Sequence, residues 1–423
     1  MAMQVLLTKP GDKLSLPAFT MTRQPILDRH QEAVAFDLSF QSAQGTPDAA
    51  GKWPMIDDIL DHFTDLDLLK VVGELRGIVH VDGRALMSDV FQHIPRARFV
   101  FNLSPGMTVS DAMLERLAHL AGQGFQFSLN EAGTDEACLR RLLPMVEMVR
   151  FDLRQHPLER LVELTSRPYF ANKKLLAENV DTLARFDACL ALGFDYLQGF
   201  YFAHPAIQPE RTLAPSQAAI IDIISLVESD ADSAEIETHI KRDVSLSLNL
   251  LRLVNSAAVG VHRIDSLRQA LMVLGRKQLA NWLQVMLYTQ SKENAPSARP
   301  LLMLATTRGK LMELVALHHR PGNRAIADSA FTVGIMSLMD VLFGMPMAEI
   351  VRQIPVVEEI GDALLDRQGY FGDLLALIET IERGANPSVL LPMLGNFHLD
   401  CNSLYLLQAD AFEWSNSVTH ANP

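Results

Sequence analysis

From Arg23 to Pro205 the chain alternates short apolar runs with amphipathic stretches. The runs Ala33 to Phe40, Gly77 to Val81, Arg98 to Leu103, Phe125 to Asn130, Met148 to Leu153, Lys173 to Glu178 and Tyr196 to Phe202 read as strands. Between them, Ser110 to Ala121 opens on a Ser-Asp start signal, and Asp181 to Leu192 reaches Gly193, which can end a helix. Repeated strand-helix units imply a mainly parallel sheet, and this many of them imply a barrel. The stretch "FAHPAIQPERTLAPS" then breaks periodicity with three prolines and reads as a linker. Beyond it the pattern is helical: Ile240 to Asn255, Ser266 to Tyr288, Ser297 to Arg320, Ala327 to Phe343, Val357 to Arg367 and Phe371 to Arg383. The second half is therefore expected to be an all-α bundle. The expected organisation is a tail over 1–20, a barrel domain over 21–204, a linker over 205–216 and a helical domain with a C-terminal extension over 217–423.

Composition narrows the function classes. With 423 residues, 48% hydrophobic and 21% charged, the chain can bury more than one core. The net charge of −13 is shared by both halves, which argues against nucleic acid and anionic membranes as partners. Cys138, Cys189 and Cys401 are isolated and give neither a disulfide framework nor a zinc motif; with no signal-peptide pattern at the start, a cytoplasmic location is expected. The most membrane-like stretch, Ala330 to Ala348, carries Asp340, two glycines and a proline, and reads as a buried helix ending near Gly344 and Pro346. The final "DAFEWSNSVTHANP" reads as a frayed end, with Trp414 in an irregular segment.

The strand runs share one feature. At or near their C-terminal ends stand Asp37, His80, Asn102, Asn130 with Glu131, Asp152, Glu178 and Gln198. In a barrel of this kind those ends converge on one mouth, where sites are built.

The order "TRQPILDRHQEAVAFDLSFQ", "VRFDL", "LLAENVDT" and "GFDYLQGFYFAHP" resembles EAL domains, the cyclic di-GMP phosphodiesterases of bacterial signalling. The segments "LRLVNSAAVG", "IDSLRQALMVLGRKQLANWL" and "AFTVGIMSLMDVL" resemble HDOD domains. The resemblance implies a fold that is α/β plus all-α: an EAL-type (β/α) barrel followed by an HD-related helical bundle. Active EAL domains hold two divalent cations with clustered carboxylates and an asparagine, and such cations need several oxygen ligands.

Set against that family, the chain departs at most ligand positions. Asp37 stands for the signature glutamate, one methylene shorter, and His80 for the asparagine of the next strand. Asn102 and Pro105 stand for the two glutamates of the E-x-T-E strand. In "LNEAG", Asn130 and Glu131 replace the paired aspartates. Arg150 takes the lysine position of "VRFDL", where Asp152 is kept. In "LLAENVDT", Glu178 survives, Asn179 replaces a glycine and Asp181 replaces a glutamate; Gln198 is kept. The HDOD half has "MSLMD", with Ser337 and Leu338 where hydrolase relatives have adjacent His and Asp. His318 and His319 read as a helix C-terminal cap rather than metal ligands.

These departures lead to the expectation of a catalytically inactive signal-transduction scaffold with no catalytic residues and no cofactor. Mg or Mn enters only if a residual phosphodiesterase site works, with Glu178, Asp152 and Asp181 as its weak metal candidates. The expected partners are unidentified signalling proteins, and a homodimer is left open. The alternative is a sensor that binds cyclic di-GMP without cleaving it, through Arg23, Arg150 and Gln198. Against it stands the repulsion between a dianion and the acids at the mouth, unless those acids are internally paired. A third reading is an active phosphodiesterase with an atypical metal site.

Overall fold

The structure, a computed structural model, describes residues 18–43, 66–104, 107, 109–131, 136–204, 215–229, 231–257, 266–289, 298–354 and 356–420. Pro105 and most of the expected linker lie outside the described residues.

Strands β1 (Phe19–Asp28), β2 (Ala33–Ser42), β3 (Arg76–Val81), β4 (Phe99–Leu103), β5 (Gln126–Asn130), β6 (Met148–Asp152), β7 (Lys174–Glu178) and β8 (Tyr196–Gln198) close a barrel in sequence order. β1 runs antiparallel to both β2 and β8, and all other neighbours are parallel. The expected strands are present, and β1 adds one that extends back into the supposed N-terminal tail. A tight turn joins β1 to β2: Asp28 Oδ1 accepts from the backbone N–H groups of His30 (2.8 Å) and Glu32 (2.9 Å).

Outside the barrel lie α1 (Leu68–Val72), α2 (Gly83–Met87), α3 (Asp111–Gly122), α4 (Glu136–Leu142), α5 (Leu158–Thr165) and α6 (Leu183–Ala191). The expected start of α3 is a true cap, with Ser110 Oγ accepting from Met113 N–H at 3.2 Å. Strand side chains alternate between two environments. Outward, Phe36, Leu38, Phe101, Phe127, Phe151 and Leu197 join the large core beneath the helices. Inward, Ile26, Ala35, Ile78, Val100 and Leu176 form a small apolar plug across the barrel axis. The next inward residue toward the mouth on each strand is polar, so the plug is the floor of the site.

The helical part comprises α7 (Pro215–Glu228), α8 (Ser233–Ile240), α9 (Val244–Ala257), α10 (Leu267–Leu274), α11 (Arg276–Thr289), α12 (Ala298–His319), α13 (Arg324–Met336), α14 (Met339–Phe343), α15 (Met347–Gln353), α16 (Glu358–Asp366), α17 (Gly369–Glu382), α18 (Pro387–Asn396) and α19 (Cys401–His420). Gly275, at φ 75°, splits the single helix expected over 266–288 into α10 and α11. α12 and α13 cross so closely that a Cβ on Gly334 would lie 2.5 Å from Gly309 Cα. Among the described residues one stretch is long and apolar enough to cross a membrane, 324–343, and it is mostly buried within the bundle.

Two expectations for this half are corrected. His319 is not a cap: its ring packs against Tyr370, Phe397 and His398 at centroid distances of 5.7, 5.5 and 5.2 Å, and its Nδ1 has no hydrogen-bond partner. The C-terminal stretch is not frayed either as far as His420, the last described residue, because α19 lies against the barrel. Tyr405 Oη donates to Leu66 O, and Gln408 Nε2 donates to Met21 O at 3.0 Å. Trp414 packs edge-on against Phe331, with ring centroids 5.7 Å apart.

Candidate functional site

The mouth is built by the period-two alternation of the strands. One step above the plug, Ala35 gives way to Asp37, Ile78 to His80, Val100 to Asn102, Met148 to Arg150, Leu176 to Glu178 and Tyr196 to Gln198; on antiparallel β1, Ile26 gives way to Gln24. Asn102 on β4 is in register with His80 on β3 and Ser128 on β5, and its side chain reaches on to Asn130.

These side chains close a ring of contacts around the barrel axis. His80 Nε2 meets Asp37 Oδ1 at 3.1 Å, and Asn102 Nδ2 lies 3.2 Å from His80 Nδ1. Asn102 Nδ2 also donates to Asn130 Oδ1 at 2.8 Å, and Asn130 Nδ2 donates to Glu178 Oε2 at 3.0 Å. Arg150 completes the circuit: its Nε donates to Glu178 Oε1 at 2.5 Å, and its Nη2 donates to Asp37 Oδ2. This arrangement fixes the His80 tautomer, since an Nδ1 that accepts from an amide leaves the proton on Nε2, which donates to Asp37. Two spurs brace the ring. Ser128 Oγ donates to Asn102 Oδ1 at 2.9 Å; Gln198 Oε1 accepts from Arg150 at 3.1 Å while its Nε2 donates to Gln24 Oε1 at 2.7 Å.

Arg150 is 1% exposed and is the largest fully buried side chain among the described residues. A buried charge is costly unless it is paired, and here one guanidinium faces two carboxylates. Burial alone would raise the Asp37 carboxyl, but Arg150 and then His80 outweigh it and hold Asp37 well below the usual carboxylate range. Burial likewise opposes the charge on Arg150, and the acids on either side raise its pKa above the ordinary value despite it. One donor is left over: Arg150 Nη1 is buried without a hydrogen-bond partner.

A second tier lies above the ring. Asp152 is gripped by Arg154, which donates from Nε at 3.1 Å and Nη2 at 2.9 Å, and Asn179 Nδ2 donates to it at 2.8 Å. Burial raises the Asp152 carboxyl, but the Arg154 contacts prevail and lower it. Glu131 Oε2 lies 2.9 Å from His156 Nε2, but without hydrogen-bond geometry, so both buried atoms are left without a hydrogen-bond partner. Asn179, at the position where the resemblance has a glycine, sits at φ 60°, in the left-handed region that asparagine tolerates better than most residues. Asp181 is exposed and belongs to neither tier.

The structure thus brings together Asp37, His80, Asn102, Asn130, Arg150, Glu178 and Gln198, with Asp152 and Glu131 above them. It does not bring Arg23 there: that side chain points away from the barrel axis and packs on Phe36 and Phe412. Sequence reasoning missed Gln24, Ser128, Arg154 and His156. Strand alternation signals the first two, since Gln24 is in step with Ile26 and Ser128 with Asn130. Arg154 and His156 follow a strand end, where spacing carries no such signal.

The donor set does not fit a pair of divalent cations. Such ions need several anionic or carbonyl oxygens aimed at one point, whereas Asp37 and Glu178 are turned toward a guanidinium, and Asn102 and Asn130 direct amide N–H groups into the ring. No group of three or more His, Cys, Asp or Glu among the described residues is arranged to hold a metal ion.

Comparison with known proteins places these halves. The EAL domain pattern matches residues 80–205 and the HDOD domain pattern matches residues 213–352. A protein of Vibrio cholerae serotype O1 named cyclic di-GMP phosphodiesterase CdgJ is 26% identical over 373 residues, covering 86% of this chain and 84% of its own. A Bacillus subtilis protein, the uncharacterized protein YuxH, is 25% identical over 412 residues, covering 95% of this chain and 99% of its own. Among solved structures, a standalone EAL protein of Vibrio cholerae in a cyclic di-GMP-bound form aligns over 45% of this chain and 93% of its own, at 19% identity and a TM-score of 0.36.

Proposed function

We propose that this chain, in which an EAL domain is followed by an HDOD domain, works in cyclic di-GMP signalling as a non-hydrolysing scaffold that acts through protein contacts. One observation carries this reading: Arg150 occupies the centre of the mouth and engages Asp37 and Glu178 at once. A fixed guanidinium supplies positive charge but no exchangeable coordination site, so it neither binds an attacking water as a metal does nor lowers its pKa. The remaining ring members, His80, Asn102 and Asn130, are engaged by one another and by Asp37, Ser128 and Glu178.

The helical half follows the same design. Arg308 donates to Ser337 Oγ at 2.7 Å and grips Glu382 through Nε (3.0 Å) and Nη2 (2.6 Å). Glu379 lies 3.5 Å from the same guanidinium. Ser337 belongs to the "MSLMD" segment, so an internal cation stands in both halves beside the position where relatives with hydrolase activity keep ligands.

The direct test is incubation of the purified chain with cyclic di-GMP and manganese. The scaffold reading expects no linear product above a buffer control. Turnover that disappears in Glu178→Gln would overturn it.

A second reading, binding of cyclic di-GMP without cleavage, gains from two features. Asp37, Glu178 and Asp152 are each paired with an arginine, which removes much of the repulsion a dianion would meet. Arg150 Nη1 is a buried donor without a partner, and Arg154 is 67% exposed and free to leave Asp152 for a phosphate. Calorimetric titration of cyclic di-GMP into the full chain separates the two readings: saturable heat that is lost in Arg154→Ala supports the sensor, and its absence leaves the scaffold.

A further inference from the structure

A second arginine of the barrel, half-buried, lies on its outer face. Arg23, on β1, is clasped between the rings of Phe36 on β2 (4.0 Å) and Phe412 on α19 (3.9 Å). Its Nη1 donates to Val71 O at 2.9 Å and Asn416 Oδ1 at 3.0 Å, and its Nη2 reaches Thr307 Oγ1 at 3.4 Å. Every one of these acceptors is neutral, and no carboxylate pairs with Arg23 among the described residues. Burial brings its pKa down to about 9, which leaves it cationic at neutral pH. Arg150 and Arg308, the buried arginines among the described residues, each hold two acids, whereas the half-buried Arg23 holds none.

Arg23 borders a narrow cleft between the β1–β2 hairpin and the bundle, open to solvent and with a water-accessible volume of about 40 Å³. Its walls are mostly apolar, with Pro25, Phe36, Met303, Leu304, Ile378 and Phe412 prominent. The one acid on the wall, Glu382, has both oxygens engaged by Arg308. Gln408 also lines the cleft; it is 1% exposed, and its Oε1 has no hydrogen-bond partner. An unneutralised cation and an unsatisfied acceptor, both at the edge of an apolar cleft, are unfavourable unless something completes them.

We propose that this cleft binds a small amphiphilic anion. Its carboxylate or phosphate would neutralise Arg23, its short apolar body would lie along Met303, Leu304 and Ile378, and a hydroxyl or amide N–H would donate to Gln408 Oε1. The walls come from β1, β2, α12, α17 and α19, so an occupant touches both halves of the molecule and stabilises their docking. This inference stands independently of any activity at the barrel mouth.

The test is calorimetric titration of the full chain with hexanoate, 3-hydroxyhexanoate and 1-hexanol. Saturable binding of both acids is expected, the hydroxy acid about three- to tenfold tighter through its added hydrogen bond and the alcohol at least tenfold weaker than hexanoate. Arg23→Gln should erase the preference for acid over alcohol. Leu304→Trp, which fills the cleft and leaves Arg23 in place, should abolish binding of all three, and it decides the matter if Arg23→Gln unfolds. Equal affinity for acid and alcohol, no heat from either acid at millimolar concentration, or acid binding unchanged in Leu304→Trp would overturn the proposal.

Discussion

Replacing Arg150 with alanine removes the cation that, among the described residues, touches both Asp37 and Glu178. Asp37 is 3% exposed and Glu178 9%, so neither acid can recover its hydration when the guanidinium is lost. Breaking a buried ion pair from one side costs about 3–5 kcal/mol, and the space left by the side chain adds to that. For a unit of the barrel's size this corresponds to a fall in melting temperature of roughly 6–20 °C. Scanning calorimetry is the suitable assay, because it resolves separate transitions where a single two-state fit to barrel and bundle would not hold. The same reasoning supplies an internal control. Arg150→Met combined with Asp37→Asn and Glu178→Gln takes the charge out of both partners, and neutral replacement of a buried ion cluster is often close to neutral in stability. The triple variant is therefore expected to regain most of the loss. Arg150→Ala within about 1 kcal/mol of the parent, or a triple variant no more stable than Arg150→Ala alone, would refute the claim that the ring is held by charge.

Three further outcomes follow from the same geometry. The Asp37 carboxyl is held below its ordinary value of 3.8, so its contribution to stability is present above that pH and is lost as pH falls below it; calorimetric melting between pH 4 and pH 2 should fall more steeply for the parent than for Asp37→Asn. Gly199, at φ 156°, lies so close to Val180 that an added Cβ would strike its backbone, and Gly199→Ala should cost about 1–3 kcal/mol in urea unfolding, whereas Asn179→Gly should be tolerated. Removal of α19 strips the outer face of β1 of Gln408, Phe412 and Asn416; hydrogen exchange should show faster exchange along β1 while the β4–β6 amides keep their protection.

The sequence made the barrel legible because seven of its strands are apolar runs ending in polar groups. It concealed β1, whose "FTMTRQPILD" mixes Thr, Arg, Gln and Pro, because that strand feeds three environments: Ile26 to the plug, Gln24 to the mouth and Arg23 to the bundle. It concealed α19 for a related reason. Ser415 and Asn416 look like surface residues but are buried, satisfying Thr306 Oγ1 and Arg23 across the packed interface. The mouth residues were legible as strand-end polar groups. Their closure into a ring was not, because it depends on register: Arg150 and Asp152 both alternate inward with Met148, but only the barrel's curvature sets the Arg150 guanidinium between Asp37 and Glu178. The expected repulsion between the mouth acids and a dianion held only for unpaired acids, and Arg150 and Arg154 pair with Asp37, Glu178 and Asp152.

The central claim is that a side-chain cation holds the place a divalent ion would take. Manganese binding followed by electron paramagnetic resonance, on the full chain and on Arg150→Ala, tests it most directly. The account expects the parent to leave millimolar manganese in its free, hydrated signal, with Arg150→Ala showing some capture once Asp37 and Glu178 are released. Stoichiometric binding by the parent that is lost in Glu178→Gln would contradict it and return the barrel mouth to the class of metal-dependent sites.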